Sequence, residues 1–182
     1  MLALKATRDA VIARLDAVWA AKTDEVAALI PTVSAADVSA VREIDWARSD
    51  QSREQVYYGQ YALDDLLDST SLSWPVATIS ISSATSPDAT NGKVLRNARW
   101  SGDAPLVIEI HFTSTKGTAV PDIEDVADFI GEILARCLLD VAWGTSVDTW
   151  TNYVSMTRSG VIEAGENWLF TLTWEQIFQV EG

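Results

Sequence analysis

The chain has 182 residues, 48% of them hydrophobic, with eight Trp, five Pro and a formal net charge of −13. That length suits one domain able to bury roughly 70% of its unfolded surface, and the composition excludes a disordered chain. The charge excludes a protein that grips nucleic acid through its phosphates, which needs clustered Lys and Arg, and disfavours adhesion to anionic lipid. Two readings of the acidity stay open: a solubility device, or a surface past which nucleic acid slides without being held.

The single cysteine, Cys137, falls in an apolar helical run. It rules out an intrachain disulfide or a cysteine metal knuckle and reads as a small buried hydrophobe. Asp9 and Asp16 interrupt the first apolar positions, which no signal-peptide core tolerates, and no apolar run approaches a membrane span. A reducing cytoplasm is the expected setting.

From Leu2 to Ile30, Leu4, Val11, Leu15, Val18, Val26 and Leu29 recur at mostly helical steps. Thr23, followed by Asp24 and Glu25, fits either a continuation or a restart of this helix, and Pro31 stops it. Ser34 with Asp37 three residues on resembles a capping box with Asp in place of Glu, predicting a short helix from about Ala35 to Val41. Residues 42–73, where charges mix with Val56, Tyr57, Tyr58 and Tyr61, are expected to be a partly extended insertion or arm. Tyr61–Asp68 has the spacing for a helical turn or two.

From Pro75 the period becomes two: Ala77, Ile79 and Ile81 alternate with Thr78 and Ser80. Residues 82–93 are a polar loop with a turn signal at Asn91-Gly92. Val94–Trp100 and Ala104–Ser114 read as antiparallel strands joined at Ser101-Gly102-Asp103, with Leu106, Ile108, Ile110 and Phe112 on one face and Glu109, His111 and Thr113 on the other. Pro121 opens a helix whose first turn carries Asp122, Glu124 and Asp125, and whose apolar face is Ile123, Val126, Ile130, Ile133, Leu134, Cys137 and Leu138. Trp143-Gly144 breaks it. Asn152–Arg158 and Asn167–Val180 are the last two strands, a hairpin whose final member alternates Trp168, Phe170, Leu172 and Trp174 against Leu169, Thr171, Thr173 and Glu175. The sum is one α+β domain over 1–182: an N-terminal helix and an antiparallel sheet of about four to five strands with one amphipathic helix packed on it, in α-β-β-β-α-β-β order, plus the 42–73 insertion.

No catalytic constellation is visible. The only imidazole, His111, sits mid-strand without a nucleophile beside it, and reads as a satisfied or solvent-facing structural residue. No nucleophile elbow, phosphate loop or dinucleotide fingerprint occurs. Asp122, Glu124, Asp125 and Asp128 read as helix-start electrostatics and a solvated face, with ion binding the lesser alternative. No enzyme activity, cofactor or metal is expected. Trp168, Phe170 and Trp174 read first as core; the alternative is that part of this stripe, with Trp143 and Trp150, meets a neighbouring subunit.

In its compact part the element order resembles the tail terminator and related neck proteins of long-tailed bacteriophages. The resemblance is carried by Trp74-Pro75-Val76-Ala77-Thr78-Ile79, Leu106–Phe112, Asp122–Leu139 and Trp168–Phe178. It implies a virion structural protein, assembled in the host cytoplasm: a hexameric ring that caps the tail tube, joins it to the head connector and lets DNA pass without specific binding. The implied partners are further copies of the chain, the tail tube protein and the connector or adaptor, with no membrane. A head-tail adaptor or tail completion protein at an adjacent layer is the nearest alternative. A small-molecule or peptide-binding module using the groove between sheet and helix is the one from another class. Ring or tube contacts are expected at a sheet edge and a protruding strand end from Gln176 to Val180, with Trp168, Trp174 and Phe178, and at the 82–93 loop with Asp88 and Asn91.

Overall fold

The alternation of Leu106, Ile108, Ile110 and Phe112 builds the centre of the sheet. The computed structural model describes residues 2–46, 56–58, 75–81, 101–115, 120–139, 151–160, 162–164 and 167–181. In it those four side chains are buried along one face of strand β3, Ser101–Thr115. Three further strands surround β3: β2 (Val76–Ile81), β4 (Thr151–Arg158) and β6 (Asn167–Glu181). β3 pairs antiparallel with β2 on one side and with β6 on the other, and β4 pairs antiparallel with the far side of β6. Two short strands complete the sheet: β1 (Val56–Tyr58), parallel to β2, and β5 (Ile162–Ala164), antiparallel to the start of β6. The strand order is β1-β2-β3-β6-β4, with β5 beside β6.

Three helices occur among the described residues: α1 (Leu2–Ala27), α2 (Ala35–Arg42) and α3 (Val120–Leu138). Ala77, Ile79, Ile108, Ile110, Leu172 and Trp174 on one sheet face share a single buried cluster with residues of α1 and α3. The architecture is α+β, as the patterning predicts, with its core between these helices and that face.

Every apolar residue expected on the buried face of α3 is buried, joined by Ala127 and Phe129. The helix end is held by Arg14 of α1, whose Nε donates to the Cys137 carbonyl at 3.1 Å. That contact satisfies one of the acceptors a helix C-terminus leaves open. The Ser34 hydroxyl caps α2, accepting from the Asp37 N–H at 3.1 Å. Asp37 does not reach back to the Ser34 N–H, as the longer Glu of a capping box does; its carboxylate accepts from the Ser34 hydroxyl at 2.6 Å.

The buried line of α1 matches the expected one at Val11, Leu15 and Val26, with Val18 packed against the core, and departs from it elsewhere. Thr7, Val11, Leu15, Trp19, Thr23 and Val26 are buried, while Leu29, past the helix end, is 60% exposed. Thr23 continues the helix, its hydroxyl donating to the Trp19 carbonyl one turn back at 2.9 Å, which makes a threonine acceptable in the core. Trp19 donates its indole N–H to the Val41 carbonyl at 2.7 Å and meets Trp46 edge-on, ring centroids 4.9 Å apart. Ile44 and Trp46 are buried and Val56–Tyr58 joins the sheet, so these parts of the 42–73 segment are built into the domain and do not stand off as an arm.

Two strand expectations need correction. Ser101-Gly102-Asp103 is not a turn, because each residue pairs with β6, opposite Glu181, Val180 and Gln179. A continuous ladder outweighs the turn preference of Gly and Asp. Pro105 lies one residue beyond the end of the β2 pairing at Leu106, where no second ladder among the described residues asks for its missing N–H. The sheet is also not purely antiparallel, since β1 adds in parallel. Val94–Trp100, the 82–93 loop and Tyr61–Asp68 lie outside the described residues.

The packing separates two leucine-sized truncations. Ile108→Ala, at a fully buried position, is expected to cost about 2–5 kcal/mol in urea unfolding. Leu29→Ala is expected to change stability by less than about 0.5 kcal/mol.

Candidate functional site

The sheet is open at both sides among the described residues, and the two edges differ. One is the three-residue parallel strand β1, the other the longer β4. The Ser159 N–H donates to the Thr171 carbonyl at 2.9 Å. Antiparallel pairing alternates, so Ser155 and Thr157 direct their backbone polar groups at β6, and Val154, Met156 and Arg158 turn theirs outward. That outward row can accept another strand. Residues 156–160 are exposed.

Beside this edge, on the helix-bearing face, lies an open groove of about 520 Å³. Its apolar walls are Leu29 and Ile30 after α1, Ala135 of α3 and Leu139 just past its end, Met156 from β4, and Trp174 of β6. Gly131 of α3 is also at the groove, and a Cβ there would overlap the Met156 sulfur. The missing side chain is what lets β4 bring its methionine against the helix. Leu29 (60% exposed), Leu139 (48%) and Met156 (46%) are the exposed large hydrophobic residues among those described, and all three converge here.

Two carboxylates complete the groove lining, Asp128 and Glu132. Glu132 accepts from Arg136 Nε at 2.7 Å, and Arg136 also pairs with Glu25 of α1. Lys22 first, and then Arg136, hold the Glu25 carboxyl below its ordinary range. Asp128 has no hydrogen bond or ion pair among the described residues. Glu124, one turn earlier, pairs with Arg158 of β4 at 2.9 Å and ties the helix to the edge strand. No group of three or more His, Cys, Asp or Glu among the described residues is arranged to hold a metal ion.

The opposite sheet face carries a polar row. Thr78 donates to Glu109 at 3.2 Å, and His111 Nδ1 lies 2.8 Å from the Thr171 hydroxyl. His111 is not solvent-facing: it is 3% exposed, and its Nε2 has no hydrogen-bond partner. Burial pushes its pKa down to about 4, so the ring is neutral at pH 7. Burial likewise pushes the Cys137 thiol up to about 12. For Cys137, burial outweighs the charges of Arg14 and Lys22, which favour the thiolate.

The expected contact residues fare unequally. Trp174 and Gln176 are both buried inside this chain and bonded to each other, the indole N–H donating to the Gln176 side-chain oxygen at 3.1 Å. The strand end from Gln176 to Val180 does not project, because β3 pairs with it to its last residue. Only the backbone of Trp168, Phe178 and Val180 is described, opposite Ser114, Ala104 and Gly102. Asp88, Asn91, Trp143 and Trp150 lie outside the described residues. Leu29, which periodicity assigned to the buried stripe of α1, lies at the surface together with Leu139 and Met156, which carried no contact signal in the sequence.

No family model matches the chain, and no curated protein matches it. No helix among the described residues is long and apolar enough to cross a membrane.

The buried imidazole makes a signed pH prediction. The unfolded chain protonates His111 near pH 6.5, whereas the folded chain resists until about 4. Its contribution to stability is therefore constant above about pH 6.5 and is lost as pH falls, by roughly 2 kcal/mol at about pH 5. Urea midpoints across that range should fall for the wild type and fall less for His111→Gln.

Proposed function

We propose that this chain is a structural subunit of the neck of a long-tailed bacteriophage, a tail terminator whose copies form a ring that caps the tail tube, joins it to the head connector and lets DNA pass. The observation that carries the reading is an open sheet with two unlike edges, β1 and β4. A head-to-tail ring needs two different complementary surfaces on every subunit, and unlike edges on one sheet supply them without any active site. The helix-on-sheet order from β2 through β6 fits the resemblance noted in the sequence, and the charge of −13 suits a lumen that repels DNA. A groove lined by exposed hydrophobics next to the β4 edge gives such a subunit a second contact surface.

Sedimentation of the chain, alone and mixed with purified tail tubes, tests this reading. Closed rings, free or bound at tube ends, are expected. Val154→Pro removes an outward-facing donor from β4 and is expected to abolish ring formation while circular dichroism stays unchanged. A chain that stays monomeric with and without tubes would contradict the reading.

A further inference from the structure

The two sulfur atoms among the described side chains stand in opposite environments. Cys137 is fully buried on α3, and burial keeps its thiol protonated, its pKa pushed up to about 12. Such a thiol reacts slowly with oxidants, because the thiolate is the reactive form. Met156 is 46% exposed on the edge strand β4. A thioether has no proton to lose, so access decides how fast it oxidises.

Met156 is also seated where a change at sulfur has a structural consequence. Its sulfur and methyl carbon take up the space that a Cβ at Gly131 of α3 would fill. Ala135, Leu139 and Trp174 line the same groove. A thioether suits a close apolar contact of this kind, whereas a sulfoxide is polar, carries an added oxygen and favours water. The sulfur already fills the space over Gly131, so the oxygen has no place on that side. The neighbouring tie of β4 to α3, the ion pair between Arg158 and Glu124, is solvent-accessible at both ends and contributes little by itself. We infer that Met156 is an oxidation site that latches β4 to α3: hydrogen peroxide passes one oxygen atom to its thioether sulfur and leaves as water, and the sulfoxide quits its seat on Gly131 and frees the edge strand from the helix. The sulfur gives up two electrons, and the O–O bond of the peroxide takes them as it breaks. Thiol-dependent enzymatic reduction of the sulfoxide reverses the step. The inference concerns the free chain and does not depend on ring formation.

Peptide mass spectrometry and NMR of the chain with methyl-labelled methionine, before and after hydrogen peroxide, test it. Met156 is expected to gain one oxygen at a rate within about ten-fold of that of a free methionine peptide, while Cys137 stays reduced. The cross-peak between the Met156 methyl and the Gly131 α-protons should vanish. The Ser155 and Thr157 amides, which point at β6, should exchange about three- to ten-fold faster once the strand has lost its seat on the helix. Met156→Gln, polar and inert to peroxide, should show the faster exchange without treatment, and Met156→Leu should not respond to treatment. Resistance of Met156 to peroxide that oxidises the free peptide overturns the inference. So does a sulfoxide that leaves the cross-peak and the exchange unchanged, or a response of Met156→Leu equal to that of the wild type.

Discussion

The ladder between β3 and β6 is the constraint from which the rest follows. All fifteen residues of β3 pair in unbroken register with all fifteen of β6. Because side chains alternate along a strand, that single register fixes both faces of the sheet at once. Ile108 stands opposite Trp174, Ile110 opposite Leu172 and Phe112 opposite Phe170, the two phenyl rings 5.6 Å apart. A slip of one residue would send this whole apolar set to the polar face and bring His111 and Glu109 into the core.

Once that face is set, the helices have one place to go. α3 lays an almost wholly apolar side on it, and α1 packs beside α3, joined through Arg14 to the α3 terminus and through Glu25 to Arg136. The ladder also determines what is left over. β6 is paired along its whole length by β3 and over most of its other side by β5 and β4, so among the described residues the main open edges pass to β1 and β4. Gly131 then lets Met156 of β4 rest on α3, and the helix ends leave Leu29 and Leu139 over the same gap. The groove is a consequence of how the two layers end.

Much of the scaffold was legible in the sequence because its signals were local. Period-two alternation located β2, the middle of β3, and β6; helical spacing with Pro121 located α3; Ser34 and Asp37 located α2. On α1, Val11, Leu15 and Val26 were read correctly, but the buried line also takes in two threonines and Trp19 and leaves Leu29 outside, so hydrophobicity alone traced it only in part. Ser101-Gly102-Asp103 was misread because a long-range ladder overrode local turn preference. Three-residue strands such as β1 carry no period to detect, and the burial of Trp46 depends on Trp19, 27 positions away in sequence. The groove was invisible for a related reason: its residues come from two helix ends and an edge strand, and nothing in their spacing links them. On β6 the first reading of the aromatic stripe, as core, holds for Phe170 and Trp174, while the alternative contact role does not hold for Trp174, which faces inward.

The central claim is that the β4 edge is an assembly surface, and residue-resolved hydrogen exchange tests it most directly. In the free chain the outward amides of Val154, Met156 and Arg158 should exchange rapidly while those of Thr157 and the β3–β6 ladder are protected; on assembly with tail tubes, the outward amides should become protected as well. Outward amides already protected in the free chain, or equally fast in the free and assembled states, would contradict the account.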